Sequence, residues 1–404
     1  MKFLILIAFV LLIEWYTYQS IRVLTQNNII RILYIVLTLI VLAYFYYSYL
    51  HFDRKTGQNT YSLYAIGVFL LLYIPKLLLS TVLLLEDVVR VIEFGGRFVF
   101  KSTTEGHFPE RRKVVTLFGL GIAAIPFTNI LYGMWQGRYN FRVLKELIVY
   151  KDLPAAFNGF RILQLSDIHV GSFENREEVI AAVDLINQQE FDVLFFTGDI
   201  VNSLANEMDP WYDVFDKIKT PAFGKYSILG NHDYGEYVKF DSDAEKQANF
   251  IAIQEIHKKI GFTLLKNESV VLKKNGEEIR VIGVENWGAN FKQAGDLSKA
   301  SAGVQKEEFK ILLSHDPSHW DLQVKTHPLN YHLTLSGHTH GMQFGIEVPK
   351  LFQWSPVQYV YKYWAGLYTE NERKLYVNRG FGYHGYPGRT GIWPEITLIT
   401  LNNK

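Results

Sequence analysis

The stretch Arg161-Ile162-Leu163-Gln164-Leu165-Ser166-Asp167-Ile168-His169 decides how this chain is read. Its first five residues make a strand-length apolar run, and its last four place polar groups where that strand stops. The pattern recurs downstream. Phe191 to Thr197 reads as a strand and ends in Thr197-Gly198-Asp199-Ile200. Lys225 to Leu229 follows the turn signal Pro221-Ala222-Phe223-Gly224 and ends in Gly230-Asn231-His232-Asp233. Lys310–Ser314 leads into His315-Asp316-Pro317, and Leu333–Ser336 into Gly337-His338-Thr339-His340-Gly341. Asn175 to Gln189 and Asp243 to Ile260 carry helical spacing, while Ser269–Lys273, Ile279–Val284, Lys374–Val377 and Ile396–Leu401 are further short strands. Strands alternating with helices, then a strand-rich stretch, predict an α/β domain with two sheets.

The placement of the polar residues has a physical reason. In α/β sheets ligands sit beyond the carboxyl ends of the strands, where several loops converge. A D-x-H or H-x-H spacing puts both side chains on one face of extended chain. The chain has no cysteine, so thiolate metal sites, disulfides and cysteine nucleophiles are excluded. Asp, His and Asn suit divalent Mn, Fe or Zn. Seven candidate ligands divide into two sets: Asp167, His169 and His340 for one ion, Asn231, His315 and His338 for the other, with Asp199 bridging. Such ions sit about 3.5–4 Å apart and clamp a phosphate while acidifying a bridging water, whose hydroxide attacks phosphorus in line. His232 follows a ligand and is the candidate catalytic residue, touching phosphoryl oxygens or protonating the leaving group. Each element alone has an ordinary explanation, since Asp167 suits a helix N-cap and Gly230-Asn231 a turn. Their joint occurrence at successive strand ends does not.

Upstream of this domain the character of the chain reverses. Residues 1–150 hold 15 Lys/Arg and 8 Asp/Glu (net +7), and residues 151–404 hold 26 and 32 (net −6), which sum to the overall +1. Three long apolar runs, Ile32–Leu50, Tyr61–Leu85 (whose one charge is Lys76, beside Pro75) and Val114–Gly137, are each long enough to cross a bilayer. Tyr44, Phe45, Tyr46, Tyr47 and Tyr49, then Tyr132 and Trp135, cluster at their ends as an interfacial belt. Phe3–Ile13 is followed by bulky Glu14-Trp15-Tyr16 rather than a cleavage site, so it reads as a fourth helix extending to about Ile21, with Glu14 at an interior or interfacial position. Basic residues on the two sides of such a four-helix arrangement number eight and seven. The cluster Arg111-Arg112-Lys113 tips its loop toward the cytoplasm and the C-terminal half toward the extracytoplasmic side. The expected organisation is a transmembrane domain over 1–137, a connection over 138–157 and a catalytic domain over 158–404. The net −6 of the second half and its lack of a basic stripe argue against a nucleic-acid partner.

With these residues in place, the sequence resembles the calcineurin-like metallophosphoesterases, whose signature is D-x-H, then G-D, then G-N-H-[DE], then a later H, then G-H-x-H. Asp167-Ile168-His169, Gly198-Asp199, Gly230-Asn231-His232-Asp233, His315 and Gly337-His338-Thr339-His340 supply every element. The resemblance covers about 158–404 and implies a four-layer αββα sandwich with two metals at its top. The tail Asn378-Arg379-Gly380-Phe381-Gly382 with Pro394-Glu395-Ile396 is similar to the exported or membrane-associated bacterial branch, some of whose relatives cleave the pyrophosphate of UDP-diacylglucosamine. Arg379 and Arg389 are candidates for a second phosphate contact. His319, His327, His332 and His384 fall outside the pattern and read as structural or surface residues, although His384 and Arg389 share a Gly-rich tail that borders the site; Trp287 and Trp320 read as core. The function expected is a multi-pass membrane phosphoesterase cleaving a phosphodiester or pyrophosphate bond of a lipid-linked substrate. The alternatives are the same chemistry on a soluble nucleotide or phosphoprotein with the helices as anchor, and a non-catalytic membrane scaffold.

Overall fold

The computed structural model describes residues 2–100, 109–348 and 351–403. It divides into two compact units: Met1–His51 with Tyr61–Tyr132, and Phe52–Thr60 with Gly133–Lys404.

The first unit is built from α1 (Lys2–Leu24), α2 (Asn28–Leu50), α3 (Thr60–Phe100) and α4 (Pro109–Trp135). Asn27 caps α2 by accepting the Ile29 N–H at 2.9 Å. Asn28–Leu50, Thr60–Gly96 and Glu110–Trp135 are long and apolar enough to cross a membrane. Ile32, Leu33, Leu37, Leu39 and Ile40 of α2 are exposed, the reverse of a water-soluble helix. α1 is one continuous helix through Phe3–Ile13 and beyond Ile21. Its Glu14 meets Lys76 of α3 at 2.7 Å, with Tyr34 donating to the same carboxylate at 2.5 Å and Thr38 at 3.3 Å. The two charges in these apolar runs thus neutralise one another. Lys101, one of the eight basic residues on the side that holds Arg111-Arg112-Lys113, lies outside the described residues.

The second unit carries the sheets. In chain order its elements are β1 (Arg142–Val149), β2 (Phe160–Leu165), α5 (Arg176–Asn187), β3 (Val193–Phe196), α6 (Tyr212–Phe215), β4 (Lys225–Ser227), α7 (Asp243–Lys259), β5 (Thr263–Leu264), β6 (Glu268–Lys274) and β7 (Glu277–Gly283). There follow α8 (Leu297–Ala300), β8 (Lys310–Leu313), α9 (Pro317–Leu322), β9 (Leu333–Ser336), β10 (Ile346–Val348), β11 (Phe352–Trp354), β12 (Gly366–Glu370), β13 (Arg373–Val377) and β14 (Glu395–Asn402). One six-stranded sheet runs β1-β14-β2-β3-β4-β5 and a second runs β12-β13-β9-β8-β7-β6, while β10 and β11 pair as a separate two-stranded sheet. The 138–157 segment, read as a connection, contains β1, which pairs in parallel with β14 along its whole length.

Period two along the strands generates the layers. Ile162, Val193 and Phe195 of the first sheet face Val281, Ile311, Leu313, Leu333 and Leu335 of the second in one core. Their alternates Leu163, Leu165, Leu194 and Phe196 face Val179, Val183 and Ile186 of α5 and Ile253 and Ile256 of α7. Ile282, Leu312, Leu375 and Val377 turn outward onto Leu297, Ala300 and Trp320. The result is a helix–sheet–sheet–helix sandwich. Trp320 is core as expected, and Trp287 is half-buried. β2, β3 and β4 are mutually parallel, as are β7, β8 and β9, so their carboxyl ends share an edge in each sheet.

Candidate metal centre

The loops after β2, β3, β4, β8 and β9 deliver the polar residues, and they do so through strained backbone. Asp167, His169, Asp199, His338 and His340 all have positive φ, between 48° and 71°. Non-glycine residues rarely adopt that region, and its clustering marks side chains aimed against local preference. Tight approach of the loops requires glycine. A Cβ on Gly198 would run into Gly230, and one on Gly230 into the Asp199 carboxylate.

Asp167, His169, Asp199, Asn231, His315 and His340 are buried and His338 nearly so. One ligand atom each from Asp167, His169 and His340 lies within 4.8 Å of the others, and the same holds for Asp199, His315 and His338. Asp199 Oδ2 links the groups, 3.6 Å from His169 Nε2 and 3.1 Å from His315 Nε2. Asp167 Oδ1 lies 3.2 Å from His340 Nε2 and 4.0 Å from His315 Nε2. Asn231 donates its amide to Tyr237 Oη at 2.7 Å, while its Oδ1 is buried with no partner among the described residues. A buried oxygen acceptor left open beside carboxylates and imidazoles fits a cation.

The surroundings fix the rings. His315 donates Nδ1–H to the Thr197 carbonyl at 2.7 Å, which fixes the ring so that Nε2 is the atom turned toward Asp199 and toward a ligand. His232 donates Nδ1–H to the Asn202 carbonyl at 2.7 Å, and its backbone N–H donates to Asp199 Oδ1 at 2.8 Å. His338 contacts Tyr361 Oη through Nε2 at 2.8 Å and brings Nδ1 to 3.3 Å from His315 Nε2. Asp233 accepts the N–H groups of Asp199, Ile200 and Gly230 at 2.8–2.9 Å, so it holds two loops together.

Electrostatics follow from burial and neighbours. Burial opposes charge on Asp199, but His315, His232 and His169 outweigh it and hold the carboxyl well below its usual range. Burial likewise disfavours charge on His315, yet Asp199 and Asp167 push it up to about 10. Burial and Asp199 push Asp233 up to about 7. The centre without cations is thus a set of buried carboxylates borrowing positive charge from imidazole.

Four residues here were not singled out from sequence as parts of the site. Asn202 Oδ1 lies 3.1 Å from His169 Nδ1 and 3.2 Å from His384 Nδ1. His384 stacks on His169 with ring centroids 4.9 Å apart and meets His232 at 4.5 Å, so a residue set outside the pattern sits against it. Tyr237 and Tyr361 complete the rim. No spacing signal reaches these positions, because none directly ends a strand in the repeating pattern.

Arg379 and Arg389, read as second-phosphate candidates, are placed otherwise. Arg389 is fully buried, donates to the carbonyls of Gly382 and Arg379 at 2.8 Å, and lies 3.1 Å from His340 Nδ1. Arg379 is paired with Glu395 at 2.7 Å and with Glu347. Arg389 is engaged with protein acceptors through all three nitrogens and Arg379 through its two terminal ones, so both brace the tail. His319 (on Ser314 Oγ at 2.8 Å) and His332 (on the Lys310 N–H at 2.9 Å) are buried, and His327 accepts the Leu329 N–H at 3.2 Å.

Comparison with known proteins points to one family. A family model described as "Probable Calcineurin-like phosphoesterase, transmembrane domain" matches residues 1–138, and one described as "Calcineurin-like phosphoesterase" matches 160–342. The uncharacterized metallophosphoesterase YkuE of Bacillus subtilis is 31% identical over 255 residues, covering 62% of this chain and 82% of that protein. A transmembrane protein with metallophosphoesterase domain from Danio rerio is 27% identical, over 76% of this chain and 66% of its own length. An uncharacterized metallophosphoesterase of Helicobacter pylori (strain J99 / ATCC 700824) is 27% identical over 99% of both chains.

Proposed function

The chain belongs to the calcineurin-like phosphoesterase family, and on that premise we propose that this membrane phosphoesterase uses two divalent ions to cleave a phosphodiester or pyrophosphate bond in a lipid-linked substrate. The observation that carries the reading is the pair of ligand groups, Asp167–His169–His340 and Asp199–His315–His338, joined at Asp199 beside the open Asn231 Oδ1. Asp167, His169 and His340 would hold one ion, Asn231, His315 and His338 the other, and Asp199 both. When bound, two such ions supply Lewis acidity toward a phosphoryl group and toward water.

The chain's own residues supply the rest. His232, its ring oriented by the Asn202 carbonyl, is placed to donate to a phosphoryl oxygen or to the departing alkoxide. Asn202 holds His169 and His384 from one amide oxygen. A lipid-linked substrate is supported by the three helices long enough to span a bilayer, since tethering is most useful when the substrate is in the membrane too. The basic Arg111-Arg112-Lys113 cluster supports an extracytoplasmic catalytic unit; a C-terminal reporter fusion active only in the cytoplasm would reverse that.

The test is turnover by full-length protein in detergent. Wild type should hydrolyse an aryl phosphodiester with stimulation by Mn and bind two ions per chain. Asp199→Ala should lower turnover at least 100-fold with loss of bound metal, and His232→Ala should lower it with the metal retained. Unchanged activity in Asp199→Ala would remove the mechanism. An equal preference for soluble and bilayer-borne phosphodiesters would remove the lipid-linked substrate and leave the helices as an anchor.

A further inference from the structure

The β10–β11 hairpin exposes a row of apolar side chains. Its register pairs Ile346 with Trp354 and Val348 with Phe352 on one face, and Glu347 with Gln353 on the other. In a hairpin laid on a water-soluble domain the apolar face turns inward. Here Glu347 is the half-buried one, and Gln353 on the same face is itself exposed. Glu347 pairs with Arg379, the Gln353 amide reaches the Ala365 carbonyl at 3.5 Å, and both border a cavity of about 430 Å³. Most of the apolar face is bare: Ile346 is 55% exposed and Phe352 54%, Leu351 at the tip is 82% exposed, and Trp354 is half-buried. Tyr359 and Val360, just downstream, are exposed as well.

We propose that this face is a membrane contact, with the bilayer interface as its occupant. Three observations favour lipid over another protein. First, the chain itself carries helices long enough to cross a bilayer. Second, only residues 136–141 separate the end of α4 from β1, a tether of at most about 25 Å. Third, aliphatic side chains beside Phe352, Trp354 and Tyr359 match the composition of segments that sit at the headgroup boundary. The hairpin also lies, in sequence, between His340 and Tyr361, which reaches His338. Contact with lipid at this hairpin would therefore occur on a segment continuous with the metal centre. This inference rests on the membrane location and is independent of which phosphoester is cleaved.

The absence of cysteine makes the test clean. Single-cysteine variants Ile346→Cys, Leu351→Cys, Phe352→Cys and Gln353→Cys, with Lys273→Cys as an exposed control, are spin-labelled in the full chain. Each is reconstituted in nanodiscs of phosphatidylethanolamine and phosphatidylglycerol. Labels at 346, 351 and 352 should be at least threefold more accessible to oxygen than to a nickel chelate, relative to the control, and 353 should not. Turnover of a soluble aryl phosphodiester, retained in all variants, certifies the fold separately from the contact. Nickel access at 346, 351 and 352 equal to the control would overturn the proposal. So would dipolar broadening between labels, which would assign the face to a second copy, or immobilised labels shielded from both reagents, which would assign it to a protein segment.

Discussion

At the scale of single residues, the unexpected participant is Asn202. One carboxamide oxygen serves the Nδ1 atoms of His169 and His384, and its backbone carbonyl serves His232. Its Nδ2 is held in turn by Ser172 at 3.1 Å. Partners of this kind fix the tautomer and aim of a ligating imidazole, and losing one typically costs 10–100-fold in metal affinity or activity. Asn202→Ala should accordingly weaken binding of the ion held by His169 by about that factor, as read by titration with Mn. Asn202→Asp, which keeps the acceptor oxygen, should restore most of it. Equal loss in both variants would mean that Asn202 only supports the loop.

At the scale of elements, what was legible in the sequence is what chain spacing alone determines. Asp167 and His169, or His338 and His340, are two residues apart at a strand end, so their joint delivery needs no knowledge of the rest of the fold. The strands themselves announce their period through Ile, Val and Leu. Three things were not legible. β1 pairs with β14 across some 250 positions, and nothing local marks that partnership, so Arg142–Val149 passed for a connection. Arg379 and Arg389 looked available in a Gly-rich tail until packing placed them on Glu395, Glu347 and backbone carbonyls. Alternation in β10 and β11 shows two faces but not which one turns outward. Glu14 was legible as a problem and solved only by tertiary pairing. It meets Lys76 across α1 and α3, both side chains 13% exposed. Breaking one member of a buried pair costs about 3–5 kcal/mol, whereas removing both is near neutral. Glu14→Leu should therefore lower the thermal midpoint in detergent, and Glu14→Leu with Lys76→Leu should recover it; a double variant as unstable as the single one would show that the pair is not the source of the cost.

At the scale of the whole molecule, the near-zero net charge conceals two bodies that answer to different solvents. The first unit is stabilised in a bilayer by helices with exposed apolar faces. The second folds around two apolar layers and a third on the outer face of one sheet. At its strand ends it concentrates Asp167 and Asp199 with six imidazoles, those of His169, His232, His315, His338, His340 and His384. Cation removal is therefore expected to act on one unit and not the other. Ligands that bind only the folded state stabilise it by RT ln(1 + [L]/Kd), about 2.7 kcal/mol at a hundredfold excess over Kd. For a unit of this size, that corresponds to a midpoint shift of about 5–10 °C. Calorimetry of the full chain in detergent should show two transitions. Chelation should lower one by that amount, with recovery on adding Mn, and should leave the other in place. Asp199→Ala should begin at the chelated midpoint and respond to neither reagent. Movement of both transitions together would mean that the helices and the sandwich unfold as one body, and that the ligand cluster stabilises the membrane half as well as its own.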